Sequence, residues 1–204
     1  MHDIPWPDGA KCAVVLSFDV DGEAGLLGPK REHQTRVSAM SHAAFGPDVG
    51  VPRILDLLER YDLPASFYIP GYTAELYPQR VEAIQKAGHE IGHHGYLHER
   101  LDELNSEAEE DEILQNGIHS LRGITGEIPV GYRAPWWEIN PWTPALLRRA
   151  GFLYDSSLMG DDAPYILNPN TPDKRMVEVP VHEPAPDDDR SQHAKDGTGR
   201  SGAA

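Results

Sequence analysis

A continuous apolar stretch that ends at an acidic motif is the feature that most constrains how this chain can fold. The stretch covers residues 11–18 (KCAVVLSF) and leads directly into Asp19-Val20-Asp21-Gly22. It predicts a strand buried on both faces of a parallel sheet, because a strand with one solvated face would alternate apolar and polar residues. Cys12, the single cysteine, lies within this stretch and is therefore predicted to be a small core residue.

The rest of the chain alternates between helix-like and strand-like patterns. Apolar residues at helical spacing, with proline near the start or glycine after the end, predict helices over residues 51–61, 81–87, 106–121 and 143–150. Short apolar runs predict further strands over residues 65–69, 89–92 and 176–181. Residues 22–50 lack sustained periodicity and are predicted to form a long, functional loop. This alternation implies an α/β fold with parallel strands.

The third predicted helix has a clear start and an acidic side. Ser106 and Glu109 fit a capping box. Its inward face is predicted to contain residues 113, 114, 117, 118 and 121, and the acidic residues 107 and 109–112 are predicted to be solvated.

Charge composition restricts the classes of partner. The chain has 18 Lys+Arg against 33 Asp+Glu, a formal net charge of −15, which repels nucleic-acid phosphates and anionic lipid surfaces. The first residues lack a basic segment followed by an apolar one, which predicts a cytoplasmic protein without a membrane partner.

Two motifs place metal-ligating side chains after predicted strands. Asp19 and Asp21 follow the first strand, and His94 and His98 follow the strand over 89–92. The carboxyl ends of parallel strands meet at one edge of the sheet, where sites assemble. Two imidazoles and a carboxylate leave positions open for water and substrate, as a catalytic zinc site requires, provided that the histidine segment turns helically. The same donors also fit a non-haem iron oxygenase.

A third motif, Arg133-Ala134-Pro135-Trp136-Trp137, makes the pattern more specific. With it, residues from about 11 to about 181 resemble the polysaccharide deacetylase superfamily (NodB homology, carbohydrate esterase family 4) in its Asp-x-Asp variant. The resemblance implies a distorted (β/α) barrel of about seven strands, of which this chain encodes about five or six. It also implies that Asp19 is the general base and that Asp21, His94 and His98 hold a divalent metal, zinc being expected.

The resemblance assigns roles to three more positions, and two aromatic residues near them are separate candidates for substrate contact. Arg133 orients the base, and Asp155, in the segment Tyr154-Asp155-Ser156-Ser157, supports Arg133. The backbone N–H of Trp136 meets the oxyanion. Trp137 and Tyr132 are expected to contact substrate.

The implied activity is metal-dependent hydrolysis of non-peptide carbon–nitrogen bonds, with removal of N-acetyl groups from sugars as the default. An oxygenase does not fit the Arg-x-Pro-x-Trp motif. A cytosolic hydrolase of cyclic imides, amides or ureides is an alternative, and so is a binding remnant without catalysis.

The end of the chain is the reason to consider a binding remnant without catalysis. Relatives carry a further histidine as general acid, and here His182 and His193 are the candidates after Val181. Residues 183–204 contain no large apolar side chain and are expected to form a disordered tail after a catalytic domain over residues 1–182. That domain is expected to be truncated, and the exposed sheet edge that results predicts pairing with another copy as a homo-oligomer.

Overall fold

A single seven-stranded sheet organises the molecule, in a computed structural model that describes residues 6–168 and 170–181. The strand order is β1-β2-β3-β4-β5-β7-β6, and all pairs are parallel except the antiparallel pair of β6 and β7. The strands are β1 Ser17–Asp19, β2 Ser66–Ile69, β3 Glu90–His93, β4 Gly131–Tyr132, β5 Tyr154–Asp155, β6 Tyr165–Leu167 and β7 Met176–Glu178.

Helices lie in the connections from β1 to β2, β2 to β3, β3 to β4 and β4 to β5. They are α1 Ala24–Leu27, α2 Val37–Phe45, α3 Val51–Tyr61, α4 Gly71–Leu76, α5 Pro78–Lys86, α6 Glu107–Thr125 and α7 Thr143–Ala150. Short 3-10 helices cover Pro7–Gly9, Arg31–Thr35, Leu101–Glu103 and Pro135–Trp137, and a π-helix covers Gly46–Gly50.

Two apolar clusters fix the helices against the sheet. One joins β2 to α3, α5 and α6, and includes Phe67, Leu58, Ile84 and Leu121. The other joins β4 and β7 to α6 and α7. Burial of these side chains, at about 25 cal/mol per Å² of apolar surface, is the main force that holds the strand ends in place.

The α/β architecture is the predicted one, and the described strands do not close into a barrel. Six strands are parallel, in agreement with the prediction, and the antiparallel β6 is an additional strand. Within the described residues, β1 and β6 are the two edges of the sheet.

The first strand is much shorter than the apolar stretch predicted. Val14 and Val15 are 80% and 60% exposed, and Cys12 is exposed as well, so the prediction of a doubly buried strand with a core cysteine is wrong. Regular pairing with β2 begins at Ser17, opposite Ser66. Apolar composition predicted burial, but a strand is buried on both faces only where neighbouring elements cover it.

The predicted long loop over residues 22–50 is also wrong, because most of it is helical. It contains α1, α2, a 3-10 helix and the π-helix that continues into α3. These helices are short, and α1 packs closely on the histidine segment: a Cβ on Gly28, at its end, would clash with the carbonyl oxygens of Leu97 and His98. Periodicity over so few residues is too weak a signal to be recognised in sequence.

The four longer predicted helices and the strands over 65–69, 89–92 and 176–181 are confirmed to within a few residues. The cap of α6 forms as Ser106 Oγ accepts from the N–H of Glu109. Its acidic side is not wholly solvated, because Glu110 is only 3% exposed. That carboxylate accepts hydrogen bonds from three side chains before and at the start of α7: Asn140, Trp142 and Thr143.

Candidate metal centre and active site

Three possible metal ligands meet at the carboxyl edge of the sheet. Asp21 lies two residues beyond β1, and His94 and His98 lie beyond β3. One ligand atom from each lies within 4.8 Å of the other two, which forms a three-donor cluster among the described residues. Thr73, at the start of α4, donates a 2.5 Å hydrogen bond to the carbonyl oxygen of Asp21 and so holds the Asp-x-Asp segment in place.

The spacing of the donors suits a small divalent cation. Nε2 of His94 is 3.5 Å from Oδ1 of Asp21, and Nε2 of His98 is 3.6 Å from Oδ2. A tetrahedral zinc ion with ligands at about 2.1 Å separates its donor atoms by about 3.4 Å. Oδ1 of Asp21 is buried and has no hydrogen-bond donor among the described residues, as expected of an oxygen that coordinates a cation. The residues therefore fit a divalent metal.

The state of the two imidazoles also fits metal binding. Nδ1 of His94 lies 2.7 Å from the carbonyl oxygen of Arg133, so this nitrogen donates and Nε2 is left with a lone pair for the metal. Burial lowers the pKa of His94 and lowers that of His98 to about 4, which keeps both rings neutral near pH 7. Burial raises the pKa of Asp21, a cost that a bound cation offsets.

A tight turn, rather than the predicted helical turn, brings the two histidines together. Gly95 and His98 have positive φ angles of 73° and 57°. The carboxylate of Glu99 accepts the backbone N–H groups of Tyr96 and Leu97, at 3.1 and 2.9 Å. The sequence prediction did not single out Glu99, which organises the ligand loop from just outside the motif.

Beside the ligands, Arg133 is held on every side of its guanidinium. Nη1 donates to Oδ1 of Asp19 at 2.7 Å, Nη2 to the hydroxyls of Ser17 and Ser156, and Nε to the carbonyl oxygen of Ser156. The guanidinium carbon lies 4.1 Å from the centre of the Tyr68 ring, a cation–π contact. Asp19, with a side chain 24% exposed, therefore has a fixed orientation and an open face.

Two predicted site residues, Tyr132 and Asp155, point into the core and away from the site. Tyr132 is buried against His93 and Phe152 in the cluster under α6 and α7, so it does not line the site face as predicted. Asp155, its neighbour in register on β5, is buried as well and accepts a hydrogen bond from Ser157; Arg133 attracts its charge but donates its hydrogen bonds to other residues. The structure assigns the support of Arg133 to Ser156. The reason is the strand alternation, which sends Arg133 and Ser156 to one face and Tyr132 and Asp155 to the other.

His93 is not part of the ligand set. It is fully buried, and its Nε2 lies 3.1 Å from the carbonyl oxygen of Leu114 on α6. The candidate acids His182 and His193, and the predicted tail over residues 183–204, lie outside the described residues.

The two motif tryptophans form a strained rim. Trp136 and Trp137 both have positive φ angles, 62° and 58°, which are costly for large side chains and cluster at functional sites. The hydrogen bonds of this turn are donated by the amides of Trp137 and Glu138, and neither uses the amide of Trp136. The Trp136 ring is 43% exposed and stands edge-on to His98, whereas Trp137 is half-buried.

Comparison with known proteins agrees with this arrangement. The family model described as polysaccharide deacetylase matches residues 45–154, more than half of the chain. The peptidoglycan deacetylase of Helicobacter pylori is 39% identical over 153 residues, which are 74% of this chain and 52% of that protein. A peptidoglycan deacetylase-like protein of Gibberella zeae is 38% identical over 152 residues, 74% of this chain and 45% of its own. The chain thus spans about half the length of these curated relatives.

Solved structures extend the similarity to the fold. A Mycobacterium smegmatis protein described as a candidate polysaccharide deacetylase is 49% identical, with a TM-score of 0.83 over 88% of this chain and 62% of that one. The allantoinase PuuE is 29% identical, with a TM-score of 0.68 over 83% of this chain and 60% of that one. Within the described residues, no helix combines the length and apolar composition needed to cross a bilayer.

Proposed function

Since the chain belongs to the polysaccharide deacetylase family, we propose that it is a metal-dependent hydrolase that removes the N-acetyl group from an amino sugar in a saccharide. The observation that carries the proposal is the placement of an Arg133-bound carboxylate, Asp19, two residues from the ligand Asp21. A carboxylate beside an open three-donor cluster is the arrangement that water activation requires.

The residues that would hold the metal are Asp21, His94 and His98. Zinc fits two imidazoles and one carboxylate at these separations, and we propose it as the resident ion. When bound, the metal supplies Lewis acidity, which polarises the acetamide carbonyl and lowers the pKa of a bound water towards ~7.

The protein's own groups activate the water and stabilise the charge that develops as it attacks. Asp19 accepts the proton of the attacking water, and Arg133 holds its carboxylate in a single orientation. The amide of Trp136, not engaged by its own turn, donates to the developing oxyanion. The neutral rings of His94 and His98 take no proton from the water, because burial disfavours their charged forms.

The exposed face of Trp136 favours a saccharide substrate. Its indole ring lies at the rim of the site between His98 and Arg100, where an apolar sugar face can stack on it. The peptidoglycan deacetylases among the relatives make N-acetylglucosamine units the first substrate class to test.

A second candidate is opening of a cyclic ureide. The similarity to an allantoinase, at 29% identity over 83% of this chain, supports it. Attack of water on a ring amide needs the same base and the same metal site. The two activities therefore differ in which substrate the residues at the rim of the site bind.

One experiment separates these functions. The purified chain is stripped with a chelator, reloaded with zinc, and assayed for acetate release from chitooligosaccharides and peptidoglycan fragments, and for ring opening of allantoin, hydantoin and succinimide. An Asp19→Asn variant, nearly isosteric, is the matched control. We expect zinc-dependent acetate release that falls at least about a hundredfold in the variant while zinc content is retained. Ring opening without acetate release supports the second candidate, and zinc binding without turnover of any substrate contradicts both.

A further inference from the structure

Two carboxyl groups lie side by side in the core, away from the metal ligands. Asp155 on β5 and Glu178 on β7 are partners in the parallel register, and both are 0% exposed. Neither forms an ion pair within 4 Å in the part of the chain that the structure describes. A buried pair of like charges without a cation is very unfavourable, so the pair has to hold a proton.

The hydrogen bonds leave one oxygen of each carboxyl free to share that proton. Oε1 of Glu178 accepts the backbone N–H groups of Ser157 and Leu158, at 3.0 and 2.8 Å, and Oδ1 of Asp155 accepts the Ser157 hydroxyl at 2.5 Å. The other two oxygens, Asp155 Oδ2 and Glu178 Oε2, are buried and have no donor. Burial raises the pKa of Asp155 to about 6 and that of Glu178 to about 9, and the contact with Asp155 adds to the second shift. A proton on Glu178 that bridges to Asp155 satisfies both orphaned oxygens.

Asp155 and Glu178 hydrogen-bond to the segment Ser156–Leu158, which in turn hydrogen-bonds to Arg133. Ser156 accepts two hydrogen bonds from the Arg133 guanidinium, and the hydroxyl of Ser157 accepts the backbone N–H of Ala134. Glu178 accepts the backbone N–H groups of Ser157 and Leu158, the two residues after Ser156. It therefore fixes the position of the turn to which Arg133 is bonded. A chain of direct contacts therefore runs from Glu178 through residues 156–158 to Arg133 and on to Asp19.

We propose that Glu178, protonated and bridged to Asp155, is a positioning residue that sets the placement of Arg133 against the base Asp19. This inference rests on the proposed function, since it assigns Glu178 to the same reaction. Glu178 touches no ligand of the metal and does not reach the substrate; it acts only through the turn at Ser156–Leu158.

The groups that face the pair are consistent with a neutral Glu178. Tyr132 on β4 and Tyr165 on β6 lie beside Asp155 and Glu178 in the sheet, and both are neutral near pH 7, because burial raises the pKa of each. The nearby charge of Arg133 favours the ionised form of Asp155. In a neutral Glu178, Oε2 carries the proton and donates it to Asp155, while Oε1 accepts the N–H groups of Ser157 and Leu158.

The test compares Glu178→Gln, which keeps an acceptor oxygen and gains an N–H donor, with Glu178→Ala, which keeps neither. In the zinc-loaded protein we expect Glu178→Gln to retain kcat within about threefold and Glu178→Ala to lose about tenfold or more, with KM and zinc content unchanged. Glu59→Gln, at an exposed glutamate on α3, is the control.

Two further readouts do not depend on turnover. The Nε–H nuclear magnetic resonance signal of Arg133, assigned by its loss in Arg133→Lys, should be unchanged in Glu178→Gln and displaced in Glu178→Ala. The melting temperature of the wild type should fall from about pH 4.5 towards pH 9, because the folded-state pKa of Glu178 lies above its unfolded value, and this fall should be smaller in Glu178→Gln.

These measurements separate the two hypotheses. A wild type without turnover but with the expected Arg133 and melting behaviour contradicts the proposed function and leaves the contacts of Glu178 supported. A folded Glu178→Ala with wild-type kcat and Arg133 signal overturns the inference. If Glu178→Ala does not fold, Glu178→Gln decides: a melting temperature that falls with pH as steeply as in the wild type overturns the inference, and a flatter profile supports it.

Discussion

Nη1 of Arg133 lies 2.7 Å from Oδ1 of Asp19, and this contact joins the carboxyl ends of β1 and β4, two strands that are not neighbours in the sheet. The same arginine uses its backbone carbonyl to orient His94, 2.7 Å from Nδ1. One residue thus couples the orientation of the proposed base, Asp19, to that of a proposed metal ligand, His94.

Replacement of Arg133 by lysine should separate catalysis from metal binding. A lysine keeps the charge but cannot make the four hydrogen bonds of the guanidinium to Asp19, Ser17 and Ser156. We expect kcat to fall by about a hundredfold while zinc content remains as in the wild type. Steady-state kinetics beside metal analysis provide the measurement. Arg149→Lys, at an exposed arginine on α7, should change neither, and an Arg133→Lys enzyme with near-normal kcat would contradict the role assigned to Arg133.

Removal of one ligand should abolish stable metal binding. In His98→Ala one of the three donors around the site is lost, and zinc affinity should drop by about a hundredfold or more. Metal analysis after dialysis against a weak chelator gives the bound fraction. His119→Ala, which removes an exposed histidine of α6, should retain zinc fully. Equal zinc content in both variants would mean that the cluster is not the metal site.

Glu110 should contribute more to stability than any exposed acid of α6. Its carboxylate is buried and accepts hydrogen bonds from Asn140, Trp142 and Thr143. Glu110→Ala removes the acceptor of the Trp142 and Thr143 side chains and one of the two acceptors of the Asn140 amide. We expect the free energy of unfolding to fall by about 3 kcal/mol in urea titrations. Glu112→Ala, on the solvated side of the same helix, should stay within about 0.5 kcal/mol of the wild type. Similar values for both variants would contradict the buried role of Glu110.

Buried His93 should make the metal-free protein sensitive to acid. Burial lowers the pKa of His93 from 6.5 to about 3, so its neutral form is favoured in the folded state. Its contribution to stability is complete above pH 6.5 and is lost as the pH falls from 6.5 towards 3, because the unfolded chain takes up the proton first. Melting temperatures in excess chelator should fall less steeply over this range in His93→Gln. Parallel profiles for the two proteins would show that His93 does not carry this dependence.

The order of strands, helices and motifs was accessible from local signals. Proline and glycine at helix ends, apolar spacing over α3, α5, α6 and α7, and the acidic and histidine motifs after strands predicted the parallel sheet and the edge where the site lies. The strands β4, β5 and β6 were not predicted from local patterns, because two or three residues carry no measurable periodicity.

Only part of the site was predicted from the sequence. Asp19, Asp21, His94, His98 and Arg133 come together as expected from their motifs. Ser17, Tyr68 and Glu99 were missed, because a hydroxyl, a ring face and a carboxylate that bonds backbone amides have no spacing rule that marks them in sequence. Asp155 and Tyr132 were expected at the site and lie on the opposite face of their strands.

By itself, the sequence determined the class of fold, the presence of three donors that fit a metal and their place at the carboxyl ends of the strands, since these depend on residue type and local order. Only the tertiary structure decided which face each side chain of β4 and β5 takes, that Ser156 and not Asp155 holds Arg133, and that Glu178 lies against Asp155. A shift of one residue in strand register exchanges the two faces, and register is set by packing between elements that are distant in the chain.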